Sequence, residues 1–321
     1  MLEARRERAI APHVLIAGDA SFRRFWRIAT PKRNLIAMDA PPSTENNAQF
    51  VRLSALFRRS HVHVPEVLAF DLDHGFLLVS DLGTRLYGDV YGSVDAEPAF
   101  EAALQTIVRL QRIDNPTSLI PPYATTRFFD ELEIFTTWFV RGLLSARPDE
   151  RTFDAAAQQL IQNVLEQPRA CVHRDFHSRN LIWADGESRL VDFQDALWGP
   201  VAYDLASLLR DCYVRLPEDE IARRRARFLT LAAADGRRFD EERFARWLDL
   251  TAIQRQLKAI GIFARLELRD GRATHLHHIA PVLDHVVAVC SAYPELGRLG
   301  EWLASLRPAT VERLGARALP T

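Results

Sequence analysis

Three oxygen-bearing residues near the middle of the chain have the types and spacing that chemistry requires. Asp175 is followed five positions later by Asn180, and Asp192 comes twelve positions after that. A carboxylate can accept the proton of an attacking hydroxyl, while an amide and a second carboxylate offer the hard oxygen ligands that Mg²⁺ prefers. The set is therefore suited to phosphoryl transfer.

A tight hairpin is predicted between the last two of these residues. The apolar runs 180–183 and 189–192 flank Asp185-Gly186, and Asp-Gly between such runs indicates a short turn between two strands. This turn brings Asn180 and Asp192 to neighbouring strand ends, close to Asp175.

The order of these residues resembles a family of small-molecule kinases. The pattern H-R-D-x-x-x-x-N followed by D-F, starting at His173, matches the catalytic loop and metal motif of protein kinases. Three longer segments resemble the aminoglycoside-phosphotransferase superfamily and, within it, the anomeric N-acetylmuramate/N-acetylglucosamine kinases of cell-wall recycling. They are HRDFHSRNLIW (173–183), LVDFQDALWGP (190–200) and YDLASLLRDCY (203–213).

The resemblance implies an α+β, bilobal fold like that of protein kinases. Residues 1–83 would form an N-terminal lobe, an antiparallel sheet with one main helix, that binds the nucleotide. Residues 84–321 would form a larger, mostly helical lobe that carries the catalytic loop and a β-hairpin and binds the acceptor. ATP and Mg²⁺ are the implied cofactors.

Individual roles follow from the same resemblance. Asp175 would be the catalytic base, Asn180 and Asp192 the metal ligands, and His173 and Asp204 structural supports of the catalytic loop. The residues expected to contact the nucleotide are Ser21, Arg23, Arg24, Ser80, Asp81, Leu82 and Gly83.

Two alternatives stay open at this point. His173 and His177 have the i, i+4 spacing of a zinc pair, but the glutamate of an HExxH motif is absent. Asp195 is either a turn residue or a substrate contact, and the turn is favoured.

The third predicted strand departs from the kinase pattern. Kinases place a lysine there to hold the nucleotide phosphates, whereas this chain has Met38 at about that position. The phosphate charge must then be met by Mg²⁺, by loop N–H groups, or by Arg23, Arg24 or Lys32. Glu45 is a candidate for the kinase lysine–glutamate pair, but without the lysine it is interpreted as a first-turn carboxylate of the following helix.

Secondary structure is predicted from apolar periodicity and turn residues. Strands are expected within 13–18, 22–29, 34–40, 67–70 and 75–80, and a helix within 43–60. Helices follow from Asp95 onward, and an aromatic stripe from Phe128 to Leu143 is interpreted as core. The later helices are expected at 149–167, 202–215, 217–234, 240–267, 275–293 and 297–314.

Composition excludes several classes of protein. The formal net charge of −1 gives no reason to expect nucleic acid or an anionic membrane as a partner, and no segment approaches the ~20 apolar residues of a membrane span. The basic N-terminal segment has no apolar stretch before a cleavage site, so export is not expected. Three scattered cysteines indicate reduced thiols. We therefore expect a cytoplasmic monomer whose partners are a nucleotide and a small molecule.

The acceptor is expected to be a small alcohol. Too few residues separate Asp192 from Asp204 for a long activation segment, which disfavours a protein kinase. Residues 202–321 contain 19 Lys and Arg against 16 Asp and Glu, a net charge of +3, which disfavours a polycationic acceptor.

The resemblance implies phosphorylation at C1 of an N-acetylated amino sugar. Arg210, Arg255 or Lys258 could then bind the lactyl carboxylate of N-acetylmuramate. Arg210, which follows the helix turn of Asp204, is the first choice, although pairing with Asp211 or another surface acid is an equally good interpretation of it. The alternatives are a kinase of another small alcohol, such as an aminoglycoside or amino alcohol, and a nucleotide-binding module without turnover.

Overall fold

The computed structural model describes residues 9–16, 23–115 and 119–315. Contacts divide the chain into two compact units. The first unit runs to Pro121 and also includes Ala170–Trp198, and the second comprises Pro122–Arg169 and continues from Gly199. The predicted boundary at Gly83 lies inside the first unit, which runs on to Pro121, and a division into lobes at that residue stays a prediction.

The first unit is built on an antiparallel sheet. Within the described residues this sheet has five strands in the order β1-β2-β3-β5-β4. The strands are β1 (Val14–Ile16), β2 (Arg24–Ala29), β3 (Asn34–Asp39), β4 (Val67–Asp71) and β5 (Phe76–Ser80). Branched and aromatic residues dominate them, as the pleated surface favours, and all five fall where the sequence predicted strands.

Helix α1 (Asn47–Arg59) follows the sheet's third strand. The Asn46 side chain caps it by accepting from the Gln49 N–H at 3.1 Å, so the helix begins later than the predicted Ser43. Its apolar face carries Phe50 and Phe57, which are both buried. The unit also contains the short helix α2 (Tyr87–Val90) and α3 (Ala96–Gln111).

The segment that carries the candidate site consists of short strands. A two-stranded sheet pairs β6 (Arg169–Val172) with β9 (Leu197–Pro200), and β7 (Leu181–Ala184) pairs with β8 (Glu187–Leu190). The second pair is antiparallel, with Leu181 opposite Leu190. The predicted hairpin is confirmed.

The second unit is almost wholly helical. A long helix, α8, spans 30 residues and has other helices of the unit packed around it. The α-helices are α4 (Thr125–Ile134), α5 (Glu150–Leu165), α6 (Tyr203–Leu209), α7 (Glu218–Ala234), α8 (Glu241–Asp270), α9 (Ile279–Cys290) and α10 (Gly297–Gly315). A π-helical segment, Phe135–Leu143, continues directly from α4. The predicted aromatic stripe is core: Phe128, Phe135 and Phe139 are fully buried.

Two helices of this unit differ from the prediction. Helix α6 ends at Leu209 rather than near 215, because Arg210 leaves the helical region with φ −116° and ψ 41°. The predicted helix 275–293 is divided into a 3₁₀ segment, Ala273–His278, and α9. The predicted fold class is confirmed: an α+β chain with an N-terminal antiparallel sheet and a larger helical part.

Candidate active site

The hairpin β7–β8 sets the positions of two predicted metal ligands. Its turn residues Asp185 and Gly186 both have positive φ, 54° and 74°, as the tight hairpin turn requires. Beyond the strand ends, the Val191 N–H donates to the Asn180 carbonyl at 3.1 Å. Asn180 and Asp192 therefore leave the same end of the hairpin, as the sequence predicted.

Asn180 is also tied to the catalytic loop. Its Nδ2 donates to the backbone oxygen of Asp175 at 3.0 Å, and the His177 N–H donates to the same oxygen at 3.0 Å. Because one end of the amide is held by this bond, Oδ1 is the end left to act as an oxygen ligand. Asp175 itself is half-buried, and its backbone oxygen is the acceptor of both bonds.

Asp192 is held by its neighbours in sequence and in space. The ring of Phe193 is fully buried and contacts Phe50 and Phe57 of α1 at centroid distances of 4.7 and 5.8 Å. Gln194 Nε2 donates to Asp192 Oδ1 at 2.7 Å. The buried aromatic residue anchors the motif, while the carboxylate beside it is half exposed.

Two residues of the site have a strained backbone. Arg174 has φ 78° and Asp192 has φ 61°, which side chains other than glycine adopt at a cost. The Arg174 Nη1 donates to the Asp195 carbonyl at 3.4 Å. Such strain persists only where surrounding contacts enforce it, and it is concentrated at functional sites.

His173 and Asp195 have the surroundings that their predicted roles need. The imidazole of His173 is fully buried, and its Nε2 lies 3.0 Å from the Val191 carbonyl. This contact joins the catalytic loop to the strand that leads to Asp192, as bracing requires. Asp195 is exposed in a turn at 194–195. Asp204 is buried in the first turn of α6, and its anchoring role remains a prediction.

The predicted hinge is tied to the sheet by an ion pair. Arg27 on β2 donates to both carboxylate oxygens of Asp81, at 2.6 and 3.1 Å, and to the Gly83 carbonyl at 3.3 Å. The Leu82 carbonyl accepts from Arg189 at 3.1 Å, and the Ser80 Oγ accepts from the Glu66 N–H at 2.8 Å. These bonds fix the path of the hinge, and adenine contact through its backbone stays a prediction.

The residues predicted to face the phosphates lie in different settings. Ser21 lies outside the described residues. Arg24 is 66% exposed and pairs with Asp39 at 2.5 Å. Arg23 is only 11% exposed, pairs with Glu45 through Nη2 at 2.5 Å, and has Nη1 3.6 Å from Asp192 Oδ1.

Glu45 was misinterpreted from the sequence. It precedes the Asn46 cap, so it is not a first-turn carboxylate of α1. The partner of Glu45 is Arg23, 22 residues earlier in the chain. Helical spacing cannot reveal a contact between such distant segments. Gln194, the residue after Asp192-Phe193, was likewise not predicted to contact the aspartate.

Arg210 is committed to carboxylates of its own unit. Its side chain is 5% exposed and donates to Glu218 and, at 2.9 Å, to Asp249. Burial lowers the pKa of Arg210, but hydrogen bonds and charge from Glu218 and Asp249 outweigh it and raise the pKa above its ordinary value. The alternative interpretation, pairing with acids, is favoured over a sugar contact because both partners already occupy the guanidinium.

His285 shares this network as a neutral base. Its Nε2 lies 2.8 Å from Arg210 Nη1, and its Nδ1 lies 2.8 Å from Gln256 Oε1. Arginine only donates, so we assign Nε2 as the acceptor and Nδ1 as the protonated nitrogen. Burial, and then the Arg210 charge, lower the pKa of His285 to about 4.

The other two candidate acceptor contacts lie on α8. Lys258 Nζ pairs with the buried carboxylate of Glu131 at 2.9 Å. The Arg255 guanidinium lies over the Tyr203 ring, 5.2 Å from its centroid, in a half-buried position. Of these two, Lys258 belongs to a buried ion pair, while Arg255 contacts the first residue of the YDLASLL helix.

Asn180 and Asp192 present the kind of oxygen donors that Mg²⁺ binds. Asp192 offers a half-exposed carboxylate, and Asn180 offers an amide oxygen whose nitrogen is already bound to the Asp175 carbonyl. Mg²⁺ is commonly held by one or two such oxygen ligands together with substrate phosphates. The residues therefore fit the ion. Within the described ranges, no group of three or more His, Cys, Asp and Glu residues could hold a metal, so the zinc alternative gains no support.

The described helices and the three cysteines do not point to a second kind of site. Over the described part of the chain, no helix is long and apolar enough to cross a membrane. Cys171, Cys212 and Cys290, which all lie in the described residues, are not joined by disulfides. Burial raises the pKa of the Cys212 and Cys290 thiols to about 12, so both are poor nucleophiles.

Comparison with known proteins agrees with the site geometry. Residues 13–248 match the model of the phosphotransferase enzyme family. The chain is 38% identical over 295 residues to an N-acetylmuramate/N-acetylglucosamine kinase of Pseudomonas aeruginosa, covering 90% of this chain and 87% of that protein. It is 36% identical over 307 residues to the protein of that name in Pseudomonas putida, covering 94% and 88%.

A solved structure supports the fold independently. The crystal structure of a choline kinase from Streptococcus pneumoniae superimposes with a TM-score of 0.64, covering 88% of this chain and 94% of that one. At 14% sequence identity this similarity concerns the fold alone.

Proposed function

The chain belongs to the phosphotransferase enzyme family, and we propose on that basis that it transfers the γ-phosphoryl group of ATP to the C1 hydroxyl of N-acetylmuramate or N-acetylglucosamine. Phosphotransfer to a hydroxyl acceptor follows from the family. The acceptor is taken from the relatives in Pseudomonas aeruginosa and Pseudomonas putida, which match nearly the whole chain and bear the name of amino-sugar kinases. The product would be a sugar 1-phosphate.

One observation carries the proposal: hydrogen bonds hold the Asp175 backbone, Asn180 and the residue before Asp192 together at one end of the β7–β8 hairpin. The bonds from Asn180 to the Asp175 carbonyl and from the Val191 N–H to the Asn180 carbonyl hold the three residues in one segment. A proton acceptor and two oxygen ligands side by side are the groups that phosphoryl transfer requires.

In the proposed mechanism, Asp175 accepts the proton of the acceptor hydroxyl and orients that hydroxyl toward the phosphate. An anomeric hydroxyl is more acidic than an ordinary alcohol, so a carboxylate base suits it. Asp192 and Asn180 would hold Mg²⁺, which when bound neutralises charge on the transferred group. Most of the rate enhancement would come from positioning the two substrates.

The nucleotide is assigned to the sheet of the first unit. Backbone groups of Ser80–Gly83 would meet the adenine, in a segment that the Arg27–Asp81 ion pair holds in place. Adenine binding through the backbone needs few specific side chains. The Asp81 carboxylate pairs with Arg27, which agrees with a role for the backbone of this segment.

On the acceptor side, Arg255 is our preferred contact for the lactyl carboxylate of N-acetylmuramate. Its guanidinium lies over the ring of Tyr203, the first residue of the segment YDLASLLRDCY that carries the family resemblance. Arg255 would then contribute to the binding of N-acetylmuramate but not to the binding of N-acetylglucosamine, because only N-acetylmuramate carries the carboxylate. We place the reaction in the cytoplasm, where ATP is supplied, as a step of peptidoglycan recycling by a monomer.

An acceptor panel tests the proposal. ADP release is measured with N-acetylmuramate, N-acetylglucosamine, glucose, choline and kanamycin at equal concentrations, with and without Mg²⁺. We expect the two amino sugars to give the highest kcat/KM and chelation of Mg²⁺ to abolish turnover. A preference for choline or kanamycin would replace the proposed acceptor, and ATP binding without ADP release for every acceptor would identify a binding module instead.

A further inference from the structure

Protein kinases carry a phosphate-holding lysine on their third strand, and this chain has an apolar residue at about that position. Met38 on β3 is 2% exposed and pairs with Phe25 across the sheet. We propose that Arg23 holds the nucleotide phosphates in place of that lysine and that Glu45 is its positioning residue. The inference rests on the proposed kinase function and concerns how the same site binds ATP.

The β2–β3 register places Arg23 on the appropriate face of the sheet. Arg24 is opposite Asp39 and Phe25 is opposite Met38. Side chains alternate between faces along a strand, so Arg23, just before β2, shares the face of Phe25 and Met38. Arg23, next to the first residue of the neighbouring strand, is therefore placed on the face from which a lysine at position 38 would extend.

The other two cations considered from the sequence are less well placed. Arg24 lies on the opposite face, is 66% exposed and pairs with Asp39. Lys32 lies in the exposed turn at the far end of the β2–β3 hairpin. At ~3.3 Å per residue the five steps from Arg24 to Ala29 put that turn about 16 Å away along the strand.

The guanidinium of Arg23 is held in a defined orientation. Its Nε and Nη2 donate to Glu45 Oε2 at 2.8 and 2.5 Å, and its Nη1 lies 3.6 Å from Asp192 Oδ1. The Nε–Nη2 edge thus contacts Glu45, and the remaining nitrogen is directed to the proposed metal ligand. A guanidinium keeps its charge and presents donors in a rigid fork, which suits phosphate oxygens.

The backbone around Glu45 is fixed by hydrogen bonds that do not involve Arg23. Its backbone N–H donates to the Pro41 carbonyl at 3.0 Å, and the next residues form the capped start of α1, where Asn47 Nδ2 donates to the Ala40 carbonyl at 2.7 Å. Arg23 and Glu45 are each 11% exposed. A rigid, nearly buried carboxylate beside an arginine limits the rotamers of that arginine, which is what positioning requires.

The test compares Arg23→Gln, Arg23→Lys, Glu45→Gln and the double variant with the wild-type protein. The matched control is another arginine–glutamate pair of the same unit, Arg58 and Glu66, 3.6 Å apart, changed to Arg58→Gln and Glu66→Gln. Affinity for a non-hydrolysable ATP analogue with Mg²⁺ is measured by calorimetry without acceptor, and KM for ATP and for the acceptor is measured separately. Thermal melting fixes a temperature at which every variant is folded.

We expect Arg23→Gln to weaken ATP binding at least about tenfold while KM for the acceptor stays within about twofold. Arg23→Lys should recover part of the loss, and Glu45→Gln should weaken ATP binding in the wild-type background but not further in the Arg23→Gln background. The control variants should bind ATP like the wild type.

Folded Arg23→Gln protein with wild-type ATP affinity would overturn the proposal. So would equal losses for ATP and acceptor, since a merely structural ion pair predicts them. ATP affinity is measured without acceptor, so the role of Arg23 is tested even if no amino sugar is phosphorylated. Failure of this inference and failure of the proposed function are therefore separate results.

Discussion

The side-chain amide of Asn180 donates to the backbone oxygen of Asp175 across 3.0 Å. This bond links the proposed proton acceptor to one proposed metal ligand, and the β7–β8 hairpin brings the second ligand, Asp192, to the same end. Backbone geometry therefore connects the two halves of the proposed chemistry, proton removal and charge neutralisation, through a single short segment.

Asp175→Asn is expected to remove the base and leave the rest of the site in place. The Asn180 bond is made to the backbone oxygen of residue 175, which the substitution does not change. We expect kcat to fall by about 10² to 10⁴ while ATP affinity stays within about twofold. Steady-state kinetics and calorimetry measure both, and a wild-type kcat for the folded variant would refute the assignment of the base.

Asp192→Asn is expected to change the dependence on Mg²⁺. An amide is a weaker ligand for a hard cation than a carboxylate, so the Mg²⁺ concentration for half-maximal activity should rise about tenfold or more. The control is Asp185→Asn in the turn of the same hairpin, where the aspartate is exposed and asparagine tolerates the positive φ of 54°. Identical Mg²⁺ titrations for both variants would remove Asp192 from the ion site.

Stability is expected to fall in acid through His285. The pKa of this buried histidine is lowered to about 4 by burial and by Arg210, from 6.5 in the unfolded chain. As pH falls below 6.5 the unfolded state takes up a proton that the folded state does not, so folding stability declines until the folded histidine also titrates near pH 4.

The expected contribution is about 2 kcal/mol between pH 7.5 and pH 5. Urea unfolding at the two pH values measures it in wild-type protein and in His285→Gln. Glutamine keeps an acceptor for Arg210 and a donor for Gln256 but does not titrate. The variant should lose less stability than the wild type over this range, and an equal loss would contradict the assignment of a neutral His285.

Gly261 in α8 is expected to resist substitution. A Cβ at this position would lie 2.6 Å from the carbonyl carbon and oxygen of Ile134, where α4 gives way to the π segment. We expect Gly261→Ala to cost at least about 2 kcal/mol, because overpacking outweighs the better helix propensity of alanine. The control is Gly297→Ala at the start of α10, where a Cβ meets nothing within 4 Å. Equal urea midpoints for the two variants would show that the backbones are not in tight contact.

Local signals explain which features the sequence could predict. The Asp-Gly turn, the apolar runs beside it and the H-R-D spacing all lie within residues 173–192, and they correctly placed Asn180 and Asp192 at one end of a hairpin. Strand and helix positions also follow from local periodicity. The resemblance to a phosphotransferase family, which depends on the same short motifs, is confirmed by the family match over residues 13–248.

Contacts between distant residues explain what the sequence could not predict. Glu45 meets an arginine 22 positions away, and Arg210 meets Asp249, 39 positions away. Neither separation along the sequence corresponds to a helical or strand repeat. Periodicity therefore cannot predict these partners of Glu45 and Arg210. The end of α6 at Leu209 has the same origin, because the Arg210 backbone leaves the helix where its side chain enters the Glu218–Asp249 network.

The position of the phosphate on the product tests the central claim most directly. Wild-type protein, ATP and Mg²⁺ are incubated with N-acetylglucosamine or with its methyl 1-glycoside, whose C1 oxygen is blocked, and the products are examined by phosphorus and proton NMR. We predict a phosphate coupled to the anomeric proton of the free sugar and no product from the glycoside. A phosphate on C6, or phosphorylation of the glycoside, would contradict the account.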